Sequence, residues 1–295
     1  MRKNNKLFKI FIPVMLFSVL IAITFASLAL SITYIEDTGN INMKSPLAIF
    51  FVITILAALV TPIIFVFLFK DLRITRTKRD LLSTKITSAI LTLIIIAFEI
   101  CDLIYIIKLG VSSSQFDAWR FVRFLLAFLV IVHLIFEVLP SKINLPLAVK
   151  YTANAAIPLY TVASILTIYF YKGAEPLPEY FEILFIISYS LITLFTLFDF
   201  KWKLISTNAK AYVALSSVAF VFGTTVSMAS IMGTISRKGI FAPEQAAICV
   251  FEMILILALS VYSLSKTLAV QATVAHIVKL AHEHKHAHDR DGEND

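Results

Sequence analysis

Apolar residues run through this chain in long unbroken stretches, and charge, proline or glycine interrupts them at near-regular intervals. Runs of this kind differ from the alternation or helical spacing that marks one apolar face of a soluble element. A hydrocarbon layer of ~30 Å needs about 20 apolar residues in a helix. The stretches 10–33, 47–69, 86–109, 118–140, 151–171, 181–201, 211–233 and 246–268 reach that length. The pattern therefore predicts an all-α transmembrane bundle of about eight spans over residues 1–268, followed by a tail over 269–295. The connections are short and leave no room for a soluble domain between spans.

A repeat of helical hairpins is visible in this map. Phe69-Lys70-Asp71, Phe136-Glu137 and Phe198-Asp199 end three spans on an acid, and Gly110, Gly173 and Gly233 close the hairpins on the opposite side. Duplicated hairpins build many transporter folds, although any row of equal-length hairpins looks periodic.

Composition gives the same answer. Hydrophobic residues make up 59% of the 295 positions and charged residues 15%, with 25 phenylalanines. A soluble domain has roughly 45–50% apolar and about 25% charged residues, so lipid is the solvent for most of this chain. The net charge of +7 lies largely in short loops between apolar segments. That is the distribution of a membrane-orientation signal, and nucleic acid is not an expected partner.

Nineteen of the 26 Lys and Arg residues fall on one side of the map: the N-terminus, the loops 70–85, 142–150 and 201–210, and the tail. The positive-inside rule assigns that side, and with it both chain ends, to the cytoplasm. Segment 10–33, with basic residues before it and Ala26, Ser27 and Ala29 near its end, also resembles a secretory signal. Its apolar run exceeds the 7–15 residues typical of a signal, which favours a retained helix. Cleavage would leave seven spans. Cys101 and Cys249 lie inside apolar segments and carry no redox signal.

Ionisable groups inside the bilayer cost ~2.5–3.5 kcal/mol each and need partners or water, so they are the most informative residues here. Glu99 falls near the middle of segment 86–109, with Asp102 one turn outward on the same face. The next segment enters from outside with Arg120 and Arg123, also three apart, and Arg123 lies as deep as Asp102. An Arg123–Asp102 pairing extended by Arg120 is expected, with Glu252 of the last span at similar depth. These five residues are predicted to form one polar cluster in the outer half of the bundle. Ion pairs there can simply fix helix register. Glu99 is the member without an obvious cation, which makes it a candidate cation or proton site.

His133 and Glu137 form a secondary pair, four apart on one face near the cytoplasmic end of their span. Two ligands do not make a zinc site. Segment 211–233 is rich in small and hydroxyl residues, and Ala219, Gly223 and Ser227 at four-residue spacing allow close helix approach. Ser216, Ser217, Thr224, Thr225 and Ser227 are path-lining candidates on that helix. Segment 151–171 carries Asn154 and Pro158, where a proline frees a backbone carbonyl. Polarity concentrated in the third, fourth, seventh and eighth spans predicts that those four form the centre.

In the tail, residues 268–281 continue with helical spacing, and His282, His284, His286 and His288 follow. Clustered imidazoles can hold a divalent metal, but a solvated tract fixes no geometry. No Walker, G-x-G-x-x-G, H-E-x-x-H or G-x-S-x-G pattern occurs, so neither a cofactor nor an enzyme is indicated. The leading expectation is a small-solute or ion transporter in which Glu99 and its outer cluster bind a cation or proton. The alternative is a membrane sensor, receptor or organiser whose charges only hold helices together.

Overall fold

A computed structural model describes residues 2–33, 46–68, 82–108, 118–139, 146–170, 179–204, 209–236 and 249–270. These form eight helices: α1 (Arg2–Thr33), α2 (Pro46–Leu68), α3 (Leu82–Lys108), α4 (Ala118–Val138), α5 (Leu147–Tyr169), α6 (Glu179–Leu204), α7 (Ala209–Ser236) and α8 (Cys249–Val270). No strand occurs among the described residues. Seven helices contain an apolar stretch of 19–24 residues, enough to cross a bilayer. The remaining one, α2, is 23 residues long with a shorter apolar stretch, Val52–Leu68, and completes a bundle of about eight spans. Asp71, Gly110 and Gly173 of the hairpin repeat lie outside the described residues, as does the tail beyond Val270.

Each peripheral helix sorts its residues by face. In α3, Ile86, Ile90, Leu93, Ile100 and Ile107 point outward, while Ser88, Leu91, Ile95, Glu99 and Asp102 are buried. The three-to-four-residue spacing within each set is the helical period, with the apolar face turned to lipid and the polar groups turned inward. Hydroxyls that face lipid are satisfied within their own helix. Thr24, Thr54 and Thr61 donate to the carbonyls of Leu20, Phe50 and Ala57, at 2.8–2.9 Å. Where no water is available, a donor must find its acceptor inside the segment.

Helices α3, α4, α5, α6 and α7 pack in sequence order, and α1 and α2 pack against each other and against α7. The helix α8 lies against α4 through Lys266–Glu137, against α6 through Tyr189–Glu252 and against α7 through Ser216–Thr267. It is therefore enclosed by α4 and α6 as well as by its sequence neighbour α7. The buried share of the spans is 72% in α7 and 67% in α8, against 56% in α5, 50% in α6, 33% in α3 and 28% in α4. This corrects the expectation that the third and fourth spans are central. Those two helices turn one polar face inward and keep the rest in lipid, while α5 and α6 are more enclosed, and α6 packs against both α7 and α8. Phe11, Met15, Val19 and Ala22 of α1 are buried in the main core.

At one end of the bundle, Trp119 of α4 stacks on Phe170 at the end of α5, with ring centroids 6.4 Å apart. Aromatic rings at helix ends are typical of a membrane interface.

Candidate functional site

The structure brings Glu99, Asp102, Arg120, Arg123 and Glu252 together in one layer. Arg123 on α4 is its centre and is 2% exposed. Its Nη2 donates to Asp102 Oδ2 at 2.7 Å, its Nε lies 3.7 Å from Glu99 Oε1, and its Nη1 lies 3.7 Å from Glu252 Oε2. The guanidinium also sits 4.6 Å from the ring centre of Phe98, one residue before Glu99. Such a planar cation, with five donors, can serve several carboxylates and an aromatic face at once. Arg120 adds a contact of 3.9 Å to Asp102 Oδ1.

Two tyrosines complete this arginine layer. Tyr160 of α5 donates to Glu99 Oε1 at 2.9 Å, and Tyr189 of α6 donates to Glu252 Oε1. Both rings are fully buried. Tyr160 follows two positions after Pro158, and Thr161 donates to the Pro158 carbonyl at 3.0 Å. Glu99 thus has one oxygen bonded to Tyr160 and near Arg123. Its other oxygen, Oε2, is buried with no hydrogen-bond partner among the described residues.

A second layer surrounds Lys266. Its Nζ lies 2.7 Å from Glu137 Oε1 and 4.7 Å from the ring centre of Tyr262. Glu137 also accepts from Ser88 of α3 at 2.9 Å and from the Tyr262 hydroxyl at 3.0–3.1 Å. His133 Nε2 stands 3.5 Å from Glu137 Oε1. Asp199 of α6 accepts from Tyr212 of α7 at 2.9 Å. Four donors and contacts therefore converge on Glu137, where sequence spacing alone pointed to a local His–Glu pair.

The two layers are built from the same two helices. Helix α4 carries Arg123 and Glu137, and α8 carries Glu252 and Lys266, in each case 14 positions apart. Fourteen residues span about four helical turns, or ~21 Å, and return to nearly the same face. The cation of α4 thus meets the anion of α8 at one level, and the cation of α8 meets the anion of α4 at the other.

Between the layers lies the tight contact of α7 with α8. A Cβ at Gly223 would come within 2.0 Å of Ser260 Oγ and 3.2 Å of Ser260 Cβ, so any side chain here must displace Ser260. The pairs Ser216–Thr267 and Gly223–Ser260 share one antiparallel register. That register puts Thr224, Thr225 and Ser227 at levels of α8 between Ser260 and Glu252. Their hydroxyls are buried without a hydrogen-bond partner among the described residues. The other two path-lining candidates are engaged: Ser217 donates to the Val213 carbonyl, and Ser216 bonds Thr267 at 2.6 Å.

Sequence reasoning missed the four buried tyrosines and Lys266. Each tyrosine hydroxyl meets a different carboxylate: Tyr160 with Glu99, Tyr189 with Glu252, Tyr212 with Asp199 and Tyr262 with Glu137. A signal existed for Lys266, which stands four turns from Glu252 in the same apolar run. His282, His284, His286 and His288 lie outside the described residues. No group of three or more metal-ligating side chains occurs among the described residues. No protein-family model, curated protein or solved structure matches the chain.

Proposed function

We propose that this multi-pass membrane protein moves a small solute or ion and that its arginine layer is the cation or proton site. The observation that carries this reading is the charge balance at one level of the bundle. Glu99, Asp102 and Glu252 face Arg120 and Arg123, which leaves a formal charge of −1. The unpartnered Oε2 of Glu99 is an acceptor in the same layer. A proton or a monovalent cation would neutralise that charge and occupy that oxygen, and buried polar groups are normally satisfied. Thr224, Thr225 and Ser227 supply further unused hydroxyls toward the other layer, and α7 is the wall of the path in this reading. The lysine bias of the loops puts both ends in the cytoplasm, so the arginine layer lies in the outer half of the bundle.

The test is ion flux in proteoliposomes, read with an internal pH dye under an imposed pH gradient and, separately, under Na⁺ and K⁺ gradients. Wild-type protein should dissipate at least one of the three gradients, and Glu99→Gln should abolish that flux. Unchanged flux in Glu99→Gln would sink the reading.

The second reading is a sensor or organiser whose charges only join helices. It draws on the lysine layer, in which Glu137 is served by Ser88, Tyr262 and Lys266. Under that reading neither wild type nor variant dissipates a gradient, and Glu99→Gln changes stability alone.

A further inference from the structure

We propose that the Arg123–Glu252 and Lys266–Glu137 contacts are the two gates of one device, arranged so that α4 and α8 part at one end only while they are clasped at the other. This rests on the transport reading and adds to it how access to the arginine layer is controlled. Three observations support it. The two clasps share the same pair of helices and are ~21 Å apart along them, the geometry of a lever with a latch at each end. The Gly223–Ser260 contact lies between them, where the absence of a side chain on α7 admits Ser260 of α8, and provides a pivot.

The clasps are also unequal. The α4–α8 limb of the arginine layer is 3.7 Å long, and the short bond of Arg123 goes instead to Asp102 of α3. At the other end Lys266 and Glu137 are 2.7 Å apart and braced by Ser88 and Tyr262. The structure is thus latched firmly at the lysine end and loosely at the arginine end. Packed helices exchange between discrete arrangements, so loosening one latch shifts the population toward opening at that end. Opening at the lysine end then draws α4 and α8 together at the arginine end. Arginine, three carboxylates and two tyrosines suit this better than an apolar seal, because water can solvate the charges whenever the gate is open.

The chain carries a native reporter. Cys249 is the first described residue of α8, one turn from Glu252, and is 3% exposed. In a Cys101→Ser background reconstituted in liposomes, the rate of Cys249 modification by N-ethylmaleimide reads opening at the arginine end. Glu252→Gln should raise that rate about fivefold, and Glu137→Gln combined with Lys266→Met should lower it by a similar factor. The double variant removes the lysine latch without leaving a buried unpaired charge. Tyr262→Phe strips one donor from Glu137 and keeps the ion pair, so it should lower the rate by a smaller factor even if the double variant fails to fold.

Opposite signs are the signature. If loss of the lysine latch leaves the Cys249 rate unchanged or raises it, the contacts are independent structural pairs and the gate proposal is overturned. Labelling requires no flux, so a gate failure with Glu99→Gln still abolishing flux leaves the transport reading intact, and the converse result separates them equally well.

Discussion

Replacing Arg123 would leave Glu99, Asp102 and Glu252 facing one another in a site that water does not reach freely. Removal of one partner from a buried ion network costs ~3–5 kcal/mol, so Arg123→Met is expected to lower the unfolding temperature in detergent sharply. Arg123→Lys retains the charge but not the five-donor fork, and should fall between Met and wild type. Tyr189→Phe removes a single donor from Glu252, with an expected loss of ~1–3 kcal/mol in the same thermal assay. A Tyr189→Phe protein as stable as wild type would show that the Glu252 oxygen is satisfied by water. Each effect belongs to one side chain, because each hydroxyl meets its own carboxylate.

Between helices α7 and α8, Gly223 leaves the room that the Ser260 side chain occupies. Gly223→Leu should destabilise by ~1–3 kcal/mol or more, since extra volume in a filled interface forces backbone shifts. Gly223→Ala meets Ser260 Oγ first, so pairing it with Ser260→Ala should recover most of the loss that Gly223→Ala alone produces. Ser260→Ala also gives up the bond to the Ile256 carbonyl, which is internal to α8 and cheap to lose. A double-mutant cycle on thermal midpoints measures the coupling, and strict additivity would contradict a direct contact. Exchange of charge between α4 and α8 is the parallel test at the lysine end. Glu137→Lys alone should prevent assembly, and adding Lys266→Glu should restore a monodisperse peak in size-exclusion chromatography.

For the molecule as a whole, the enclosure of α8 makes it the helix on which assembly depends. A chain ending before Cys249 should take Tyr262 and Lys266 from Glu137 and Glu252 from Tyr189 together, and is expected to aggregate when extracted in detergent. Helix α1 contributes Phe11, Met15, Val19 and Ala22 to the main core, so the mature protein is expected to retain segment 10–33. Intact mass measurement checks this directly, because a mass lacking that segment would reduce the bundle to seven spans. With an even number of spans, tags at the two ends should be protected from added protease on the same side of sealed vesicles.

The all-helical class and a count of about eight spans were legible in the sequence because lipid imposes a length and an apolar composition on every crossing, segment by segment. The members of the arginine layer were legible for a related reason: charge inside an apolar run is expensive, so Glu99, Asp102, Arg123 and Glu252 declare themselves without reference to any neighbour. What the sequence could not rank was neutral polarity. A tyrosine in an apolar run can sit at an interface, in lipid or against an acid, and only packing decides which. That is why Tyr160, Tyr189, Tyr212 and Tyr262 emerge from the tertiary structure alone. The same holds for Lys266, whose place near the end of an apolar run suits a solvated tail until α4 is laid beside α8. Polarity along a span does not report its enclosure: α3 and α4 need only one inward face to hold their charges, whereas α7 and α8 are buried over most of their length. Enclosure depends on how many helices surround a span, and that is a property of the assembled bundle, not of any one segment.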